Sequence, residues 1–137
     1  MKLRMLVVTL LALSFVAIAV AEDKTRAAEA ASEAWLKFVD SGDYSQSWVE
    51  VSSSFKAHVN EKDWVRQIGA LRQPLGALFS RKLISAEYTT TLPGAPDGQY
   101  VVIRYESSFA NKKSAIETVT PMLDKDGQWR VSGYFIK

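Results

Sequence analysis

The spacing of apolar residues changes once along the chain, near Phe79, and this change constrains the fold more than any other feature. Between residues 22 and 78, apolar side chains recur every three to four residues, as on one face of a helix. After Phe79 they alternate, as in a strand with one buried face. Helices followed by strands are typical of an α+β domain, whereas βαβ units would interleave the two patterns. The sequence therefore predicts an α+β domain.

Three helices are predicted in the first half. The first runs from about Lys24 to Asp40 and stops at Ser41-Gly42, the second begins near Asp43, and the third follows an N-cap at Asn60. Pro74 and Gly76 close the third helix. The residues expected on the apolar faces are, in chain order, Ala28, Ala31, Trp35 and Phe38, then Tyr44, Trp48, Val51 and Phe55, then Trp64, Ile68 and Leu71.

About four antiparallel strands are predicted in the second half, forming a curved sheet against which the three helices pack. The expected strands cover 79–90, 99–109, 112–123 and 128–136. Turn residues separate them at 93–98, at Asn111-Lys112 and at 124–127. The chain thus reads as a meander in which each strand pairs with the next.

The two later hairpins predict which side chains share a face of the sheet. The face toward the helices is expected to carry Val101, Ile103, Tyr105, Phe109, Ile116, Thr118, Met122, Trp129, Val131 and Phe135. The opposite face is expected to carry Val102, Arg104, Glu106, Glu117, Val119, Arg130 and Tyr134. This register places Glu106 beside Glu117 and Met122 beside Trp129.

One group of residues in this sheet has the composition of a chemical site: Arg104, Glu106, Glu117, Arg130 and Tyr134. Carboxylates beside arginines and a tyrosine can perform acid–base catalysis. On a face turned away from the helices they would instead be hydrated ion pairs with little desolvation. The valines between them leave a third interpretation open, in which this half-apolar face pairs with a second subunit.

Five aromatic residues are expected to converge between the helices and the sheet: Trp35, Trp48, Trp64, Tyr105 and Trp129. Core packing is one interpretation, and an apolar pocket that binds a small ligand is the other. The predicted inward face is otherwise apolar except for Tyr105, Thr118 and Thr120. We therefore expect no catalytic site there.

Residues 1–21 read as a cleavable secretory signal. Lys2 and Arg4 precede an apolar run, and Ala19-Val20-Ala21 provides a signal-peptidase site. The run is shorter than the roughly 20 residues that cross a bilayer, so we expect cleavage after Ala21 and no stable membrane span. The rival interpretation is an uncleaved anchor. Residues 22–137 would then form one exported, periplasmic or secreted domain.

Composition excludes several functional classes. The chain has no cysteine, and His58 is its one histidine, which excludes disulfides, thiol chemistry and zinc sites built on several thiolates or imidazoles. The sequence 124–127 lacks the later ligands of a calcium loop and reads as a turn. Without Lys2 and Arg4, acidic and basic residues balance, so nucleic-acid binding is not expected. No metal or cofactor is predicted.

Several strings of the chain resemble one known family. They are WLKFVDSGDYSQSW, PLGALFSRKL and LISAEYTTTLPGAPDGQYVVIRYESSFANKKSAIETVTPMLDKDGQWRVSGYFIK. They closely resemble the bacterial secreted proteins grouped as domain-of-unknown-function family 4019. The resemblance implies a bacterial, periplasmic protein. The order of helices and strands is also similar to the nuclear transport factor 2-like, or cystatin-like, cone fold, in which helices cap a curved sheet around a cavity.

The resemblance supplies no catalytic motif, so three hypotheses remain. The leading one is a small periplasmic binding or accessory domain, whose cavity holds a small apolar ligand and whose sheet can form a homodimer. The first alternative is an isomerase or lyase-like enzyme of the cone fold that uses Glu117, Arg104 and Tyr134, which requires the predicted faces to be inverted. The second is a structural or protein-interaction domain.

Overall fold

A computed structural model describes residues 22–137, so the predicted signal sequence lies outside the described residues. The helices are α1 (22–40), α2 (Tyr44–Val49), α3 (Ser53–His58) and α4 (Glu61–Arg72), followed by a 3-10 turn at Gln73–Leu75. The strands are β1 (Leu78–Thr89), β2 (Tyr100–Phe109), β3 (Lys112–Leu123) and β4 (Trp129–Ile136). The α+β class is confirmed, and each strand bound agrees with its prediction to within one residue.

Helix α1 ends in a Schellman motif, as Ser41-Gly42 predicts. The N–H of Gly42 donates to the carbonyl of Val39 at 3.2 Å, and that of Asp43 donates to Phe38 at 2.9 Å. Gly42 has φ +78°, a left-handed conformation that costs glycine little. The motif fixes Asp40 in the last turn of α1.

The second predicted helix is wrong in one respect, because the chain breaks it into α2 and α3. The break carries Val51 into the core at 1% exposure. Ser52 follows, and its N–H donates to the carbonyl of Val131 in β4 at 2.9 Å. Its hydroxyl accepts from the N–H of Phe55 and caps α3. The hydrogen bond between Ser52 and β4 therefore takes the place of the helical turn that would join α2 to α3. The predicted cap at Asn60 is confirmed, since its side chain accepts from the N–H of Asp63.

The four strands form one open antiparallel sheet in the order β1-β2-β3-β4. The predicted register of the β2–β3 hairpin is wrong by one residue, since Tyr105 stands opposite Glu117 and Glu106 stands opposite Ile116. The turn is Ala110-Asn111, one position earlier than predicted, and this shifts the pairing of the two strands by two residues relative to the prediction. A β-bulge between Ser107 and Phe109 then shifts the pairing back by one residue.

The β3–β4 hairpin is also shifted by one residue, because Trp129 pairs with Leu123 and Met122 pairs with Arg130. A second bulge, between Thr120 and Pro121, shifts the remainder of β4. We call the side of the sheet that carries Val101, Ile103 and Tyr105 the inner face, and the other side the outer face. The predicted facing is correct for β2 and wrong along β3 and the end of β4.

Seven side chains therefore lie on the face of the sheet opposite to the one predicted. Glu117, Val119 and Tyr134 lie on the inner face, and Ile116, Thr118, Met122 and Phe135 lie on the outer face. The buried apolar cluster includes Trp35, Leu36, Val39, Trp64, Ile68, Val101, Ile103, Tyr105, Val119 and Val131, contributed by α1, α4 and the sheet. Within 22–137, no helix has the length and apolar character needed to span a membrane.

Candidate functional site

One polar side chain from each strand meets in a row across the inner face. Arg81 of β1 stands opposite Ser107 of β2, and Tyr105, two residues before Ser107, stands opposite Glu117 of β3. Tyr134 of β4 lies diagonally across from Glu117, so its hydroxyl reaches the same carboxylate. Arg81, Ser107, Glu117 and Tyr134 thereby form a continuous chain of hydrogen bonds.

Glu117 is the centre of this row and is completely buried. Its Oε1 accepts from Arg81 Nε at 2.7 Å and from Ser107 Oγ at 2.5 Å. Its Oε2 accepts from Arg81 Nη2 at 3.1 Å and from Tyr134 OH at 2.5 Å. The carboxylate thus receives two donors on each oxygen, including both arms of a bidentate arginine pair.

Two helix ends extend the row into the helical layer. Asp40, at the end of α1, accepts from Arg81 Nη1 at 2.7 Å and from Arg72 Nη2 at 2.9 Å. Arg72, at the end of α4, is 4% exposed and places its guanidinium 4.8 Å from the Phe109 ring centroid. We call Asp40, Arg72, Arg81, Ser107, Glu117 and Tyr134 the inner polar network. It ties α1 and α4 to all four strands.

Burial and neighbouring charges together shift the pKa values of Asp40 and Tyr134. Burial disfavours ionisation of Asp40, but the hydrogen bonds and charges of Arg81 and Arg72 outweigh it and hold its pKa below the usual value. Burial, together with the negative charge of Glu117, raises the pKa of the Tyr134 hydroxyl well above its usual value. Tyr134 is therefore a proton donor in a hydrogen bond at neutral pH and does not ionise.

The inner polar network is arranged for structure and leaves little for acid–base chemistry. A general base needs an oxygen free to take a proton from a substrate. Both oxygens of Glu117 are already occupied by donors of this chain, and its carboxylate has no exposed surface. Within the described residues one buried donor, Arg72 Nε, has no partner. The network contains two arginines and two carboxylates, so its charges balance.

The structure divides the predicted polar cluster of Arg104, Glu106, Glu117, Arg130 and Tyr134. Glu117 and Tyr134 are bonded to each other inside, whereas Arg104 and Glu106 are exposed on the outer face. Arg130, at the start of β4, pairs with Asp124 at 3.1 Å and with Asp126 at 2.7 Å, both of which lie in the turn before this strand. The sequence did not indicate Asp40, Arg72, Arg81 or Ser107 as members of a polar cluster. A correct hairpin register was the one available signal, and it would have placed Ser107 on the same face as Glu117, diagonally across from it.

Three of the five predicted aromatic residues are buried: Trp35, Trp64 and Tyr105. The indole N–H groups of Trp35 and Trp64 donate to the carbonyl and hydroxyl oxygens of Ser47, each at 2.9 Å. The Tyr105 hydroxyl lies 3.1 Å from Ser32 Oγ. Their polar atoms are thus satisfied within the fold, as core packing requires.

Trp35 and Trp129 also line an open cleft of about 200 Å³ between α1 and the start of β4, together with Ala31, Ala34, Phe38, Glu50, Gln128, Arg130 and Val131. A second cleft of about 420 Å³ shares Glu50 and Arg130 with it and adds Lys56, Asp124 and Lys125. A third, of about 330 Å³, is lined by Asp40, Tyr44 and Arg72. Trp48, Trp64 and Tyr105 line none of these three clefts.

Acid is expected to weaken the fold through Asp124, whose side chain is 6% exposed. Burial opposes its ionisation, but hydrogen bonds from Ser53, Lys125 and Arg130 lower its pKa far below the usual value. A lowered folded-state pKa stabilises the protein above the unfolded-state pKa, about 3.9 for aspartate, and this contribution is lost as pH falls further. The free energy of unfolding should therefore decline below about pH 4.

Urea unfolding of the wild type and of Asp124→Asn at a series of pH values tests this assignment. The variant should be less stable at pH 7 and should lose less stability on acidification, because its side chain binds no proton. Asp126→Asn is the matched control, since Asp126 is exposed and shares the Arg130 pair. If Asp124→Asn and the wild type decline equally below pH 4, Asp124 is not a source of the acid sensitivity.

A family described as "Protein of unknown function (DUF4019)" matches residues 31–134, a range that covers most of the chain and includes all six residues of the inner polar network. No curated protein and no solved structure matches the chain. Among residues 22–137, no three side chains of histidine, cysteine, aspartate or glutamate cluster as metal ligands would.

Proposed function

Since the chain belongs to the DUF4019 family, whose description gives no activity, we propose from the structure that it is a non-catalytic binding domain. Its ligand is a small amphipathic molecule, and the binding site is the cleft lined by Trp35 and Trp129 with its charged neighbour. The observation that carries the proposal is this pair of adjoining clefts, which place exposed apolar surface beside charged side chains.

The proposal that the domain is not an enzyme rests on Glu117. Both oxygens of this carboxylate accept hydrogen bonds from Arg81, Ser107 and Tyr134, so it has no free position for a substrate proton. The isomerase or lyase-like alternative also needs Arg104, which is exposed on the other face of the sheet. The inner polar network is better explained as a device that holds helices on the sheet.

The cleft supports an amphipathic ligand because its two ends differ in chemistry. Ala31, Ala34 and Phe38 of α1 form the apolar end with the two tryptophans. Glu50 and Arg130 mark the junction, and the larger cleft beyond them carries Lys56 and Lys125. Ligand sites are typically concave and mainly apolar, with a few polar groups that fix orientation. The larger cleft, of about 420 Å³, falls within the usual range for small-ligand sites.

The proposal also covers the location of the protein and its fold family. Residues 1–21 act as an export signal, and the domain works in a bacterial periplasm. The helices and the bulged antiparallel sheet form a variant of the nuclear transport factor 2-like cone, in which aromatic side chains fill the interior and the ligand binds at the surface. The helix-then-sheet order and the β-bulges support this assignment.

Binding of 8-anilinonaphthalene-1-sulfonate, which joins an apolar ring system to an anionic group, tests the cleft. The native protein should bind this probe and enhance its fluorescence. Ala34→Gln, which extends a polar side chain into the cleft, should weaken binding by about tenfold, the equivalent of about 1.4 kcal/mol. Ala30→Gln is the control, because Ala30 is exposed on the same helix but does not line the cleft.

Equal binding by the two glutamine variants would contradict the proposed site, and so would a wild type that leaves the probe fluorescence unchanged. Both substitutions lie on the exposed side of α1 and replace one good helix former by another, so both variants should fold. Native mass spectrometry of the protein purified from its own source would then identify the molecule that occupies the cleft.

A further inference from the structure

The edge strand β1 presents unpaired backbone and large apolar side chains at the surface. It is twelve residues long and has one neighbour, β2, in the sheet that the described residues form. Phe79 is 69% exposed, Ile84 is 53% exposed and Leu83 is 41% exposed. A long exposed edge of this kind is a template for pairing with another strand. Proteins that remain monomeric usually shorten or cover such an edge, or protect it with charges and bulges that an unrelated strand does not match.

A β-bulge in the middle of β1 decides which of its charges share a face. Leu83 stands opposite Tyr105, but Ser85 stands opposite Arg104, so the strand contains one extra residue at this point. In a regular strand, Lys82 and Glu87 would lie on opposite faces, because they are five positions apart, an odd number. The bulge brings both onto the outer face.

We propose that β1 pairs antiparallel with β1 of a second copy of this chain, about a two-fold axis at the bulge. An axis between Ile84 and Ser85 places Lys82 opposite Glu87 of the second copy, and the symmetry repeats the pair. On the inner face, the same register places Leu83 opposite Ala86. The two sheets then join into one continuous sheet of eight strands.

Charge complementarity distinguishes this occupant from an unrelated strand. Neither the Lys82 nor the Glu87 side chain forms an ion pair or hydrogen bond among the residues of 22–137, although Lys82 stands opposite Glu106 of β2. Both charges are therefore available at the edge. Lys82 of each copy stands opposite Glu87 of the other only when the two-fold axis lies at the bulge. The position of the bulge and the positions of these charges therefore indicate the same axis.

A charge-swap experiment on protein expressed from the full sequence tests the pairing. Sedimentation velocity should show a dimer for the wild type. Lys82→Glu and Glu87→Lys should each raise the dimer dissociation constant by about tenfold or more, because each places like charges opposite each other twice. The double variant Lys82→Glu/Glu87→Lys should restore the dimer. Lys113→Glu, an exposed charge reversal on β3, is the control and should leave the dimer intact.

Three results would overturn the proposal. The first is a monomeric wild type at every concentration reached. The second is a double variant that dissociates as readily as the single variants, since the charges would then act independently. The third is a dimer that survives Lys82→Glu but dissociates on Phe135→Lys, because Phe135 is 52% exposed on the outer face and its loss would indicate face-to-face association. Circular dichroism confirms that each variant is folded.

Discussion

Replacing Arg81 by methionine should lower the free energy of unfolding by about 3–5 kcal/mol, because it leaves a buried carboxylate without its counter-charge. Glu117 has no exposed surface and would keep only Ser107 and Tyr134 as donors. Asp40 would lose one of its two arginines as well. Urea unfolding followed by tryptophan fluorescence measures the change.

Two comparisons separate this effect from loss of any surface arginine. Arg26 is 71% exposed and pairs with Glu22 at 3.7 Å, so Arg26→Met should cost less than about 1 kcal/mol. The double variant Arg81→Met/Glu117→Leu should be more stable than the sum of its single variants predicts, because it removes both charges together. Strict additivity would contradict the pairing, and so would a cost below about 1 kcal/mol for Arg81→Met.

Trp35→Ala should be as destabilising, at about 3–5 kcal/mol, because it removes a large buried side chain that packs α1 against α4 and β4. Trp35 is 2% exposed, its ring lies 6.1 Å from that of Trp64 and 5.3 Å from that of Tyr134, and its N–H donates to Ser47. The cavity left behind would border both the core and the inner polar network. Thermal and urea unfolding report the loss.

Trp35→Phe separates packing from hydrogen bonding. It retains an aromatic ring but leaves the Ser47 carbonyl without the indole donor, so it should cost about 1–3 kcal/mol. Trp129→Ala is the second comparison, because Trp129 is only half-buried and should cost less than Trp35→Ala. If Trp35→Ala unfolds at the same urea concentration as the wild type, Trp35 does not hold the core together.

Local sequence patterns predicted most of the fold, and the particular failures have physical causes. Gly42 marked the end of α1 correctly, because a Schellman motif requires only the residues around it. The apolar spacing places Ser52 near the end of the second predicted helix, which three consecutive serines weaken, yet its N–H bonds to Val131, a partner almost eighty positions along the chain. No helical periodicity contains information about such a bond.

The inner polar network likewise depends on contacts that local sequence patterns do not predict. The sequence singled out Glu117 and Tyr134 but placed both on the outer face, because the β-bulge between Ser107 and Phe109 shifts the register by one residue and so reverses the facing of β3. Bulges depend on how strands twist and pack against their neighbours, so the alternation of apolar residues does not reveal them. Asp40 and Arg81 are 41 positions apart, and neither residue type is rare on a surface.

By itself, the sequence determined the elements of this protein: the change from helical to strand spacing, the caps at Asn60 and Gly42, the four strands and their order as a meander. Each depends on backbone preferences and on side chains within a few residues of one another. Tertiary structure alone decided the facing of β3, the burial of Glu117 against Arg81, and the shared face of Lys82 and Glu87. Those outcomes depend on single-residue shifts in register, which the packing of the whole sheet against its helices selects.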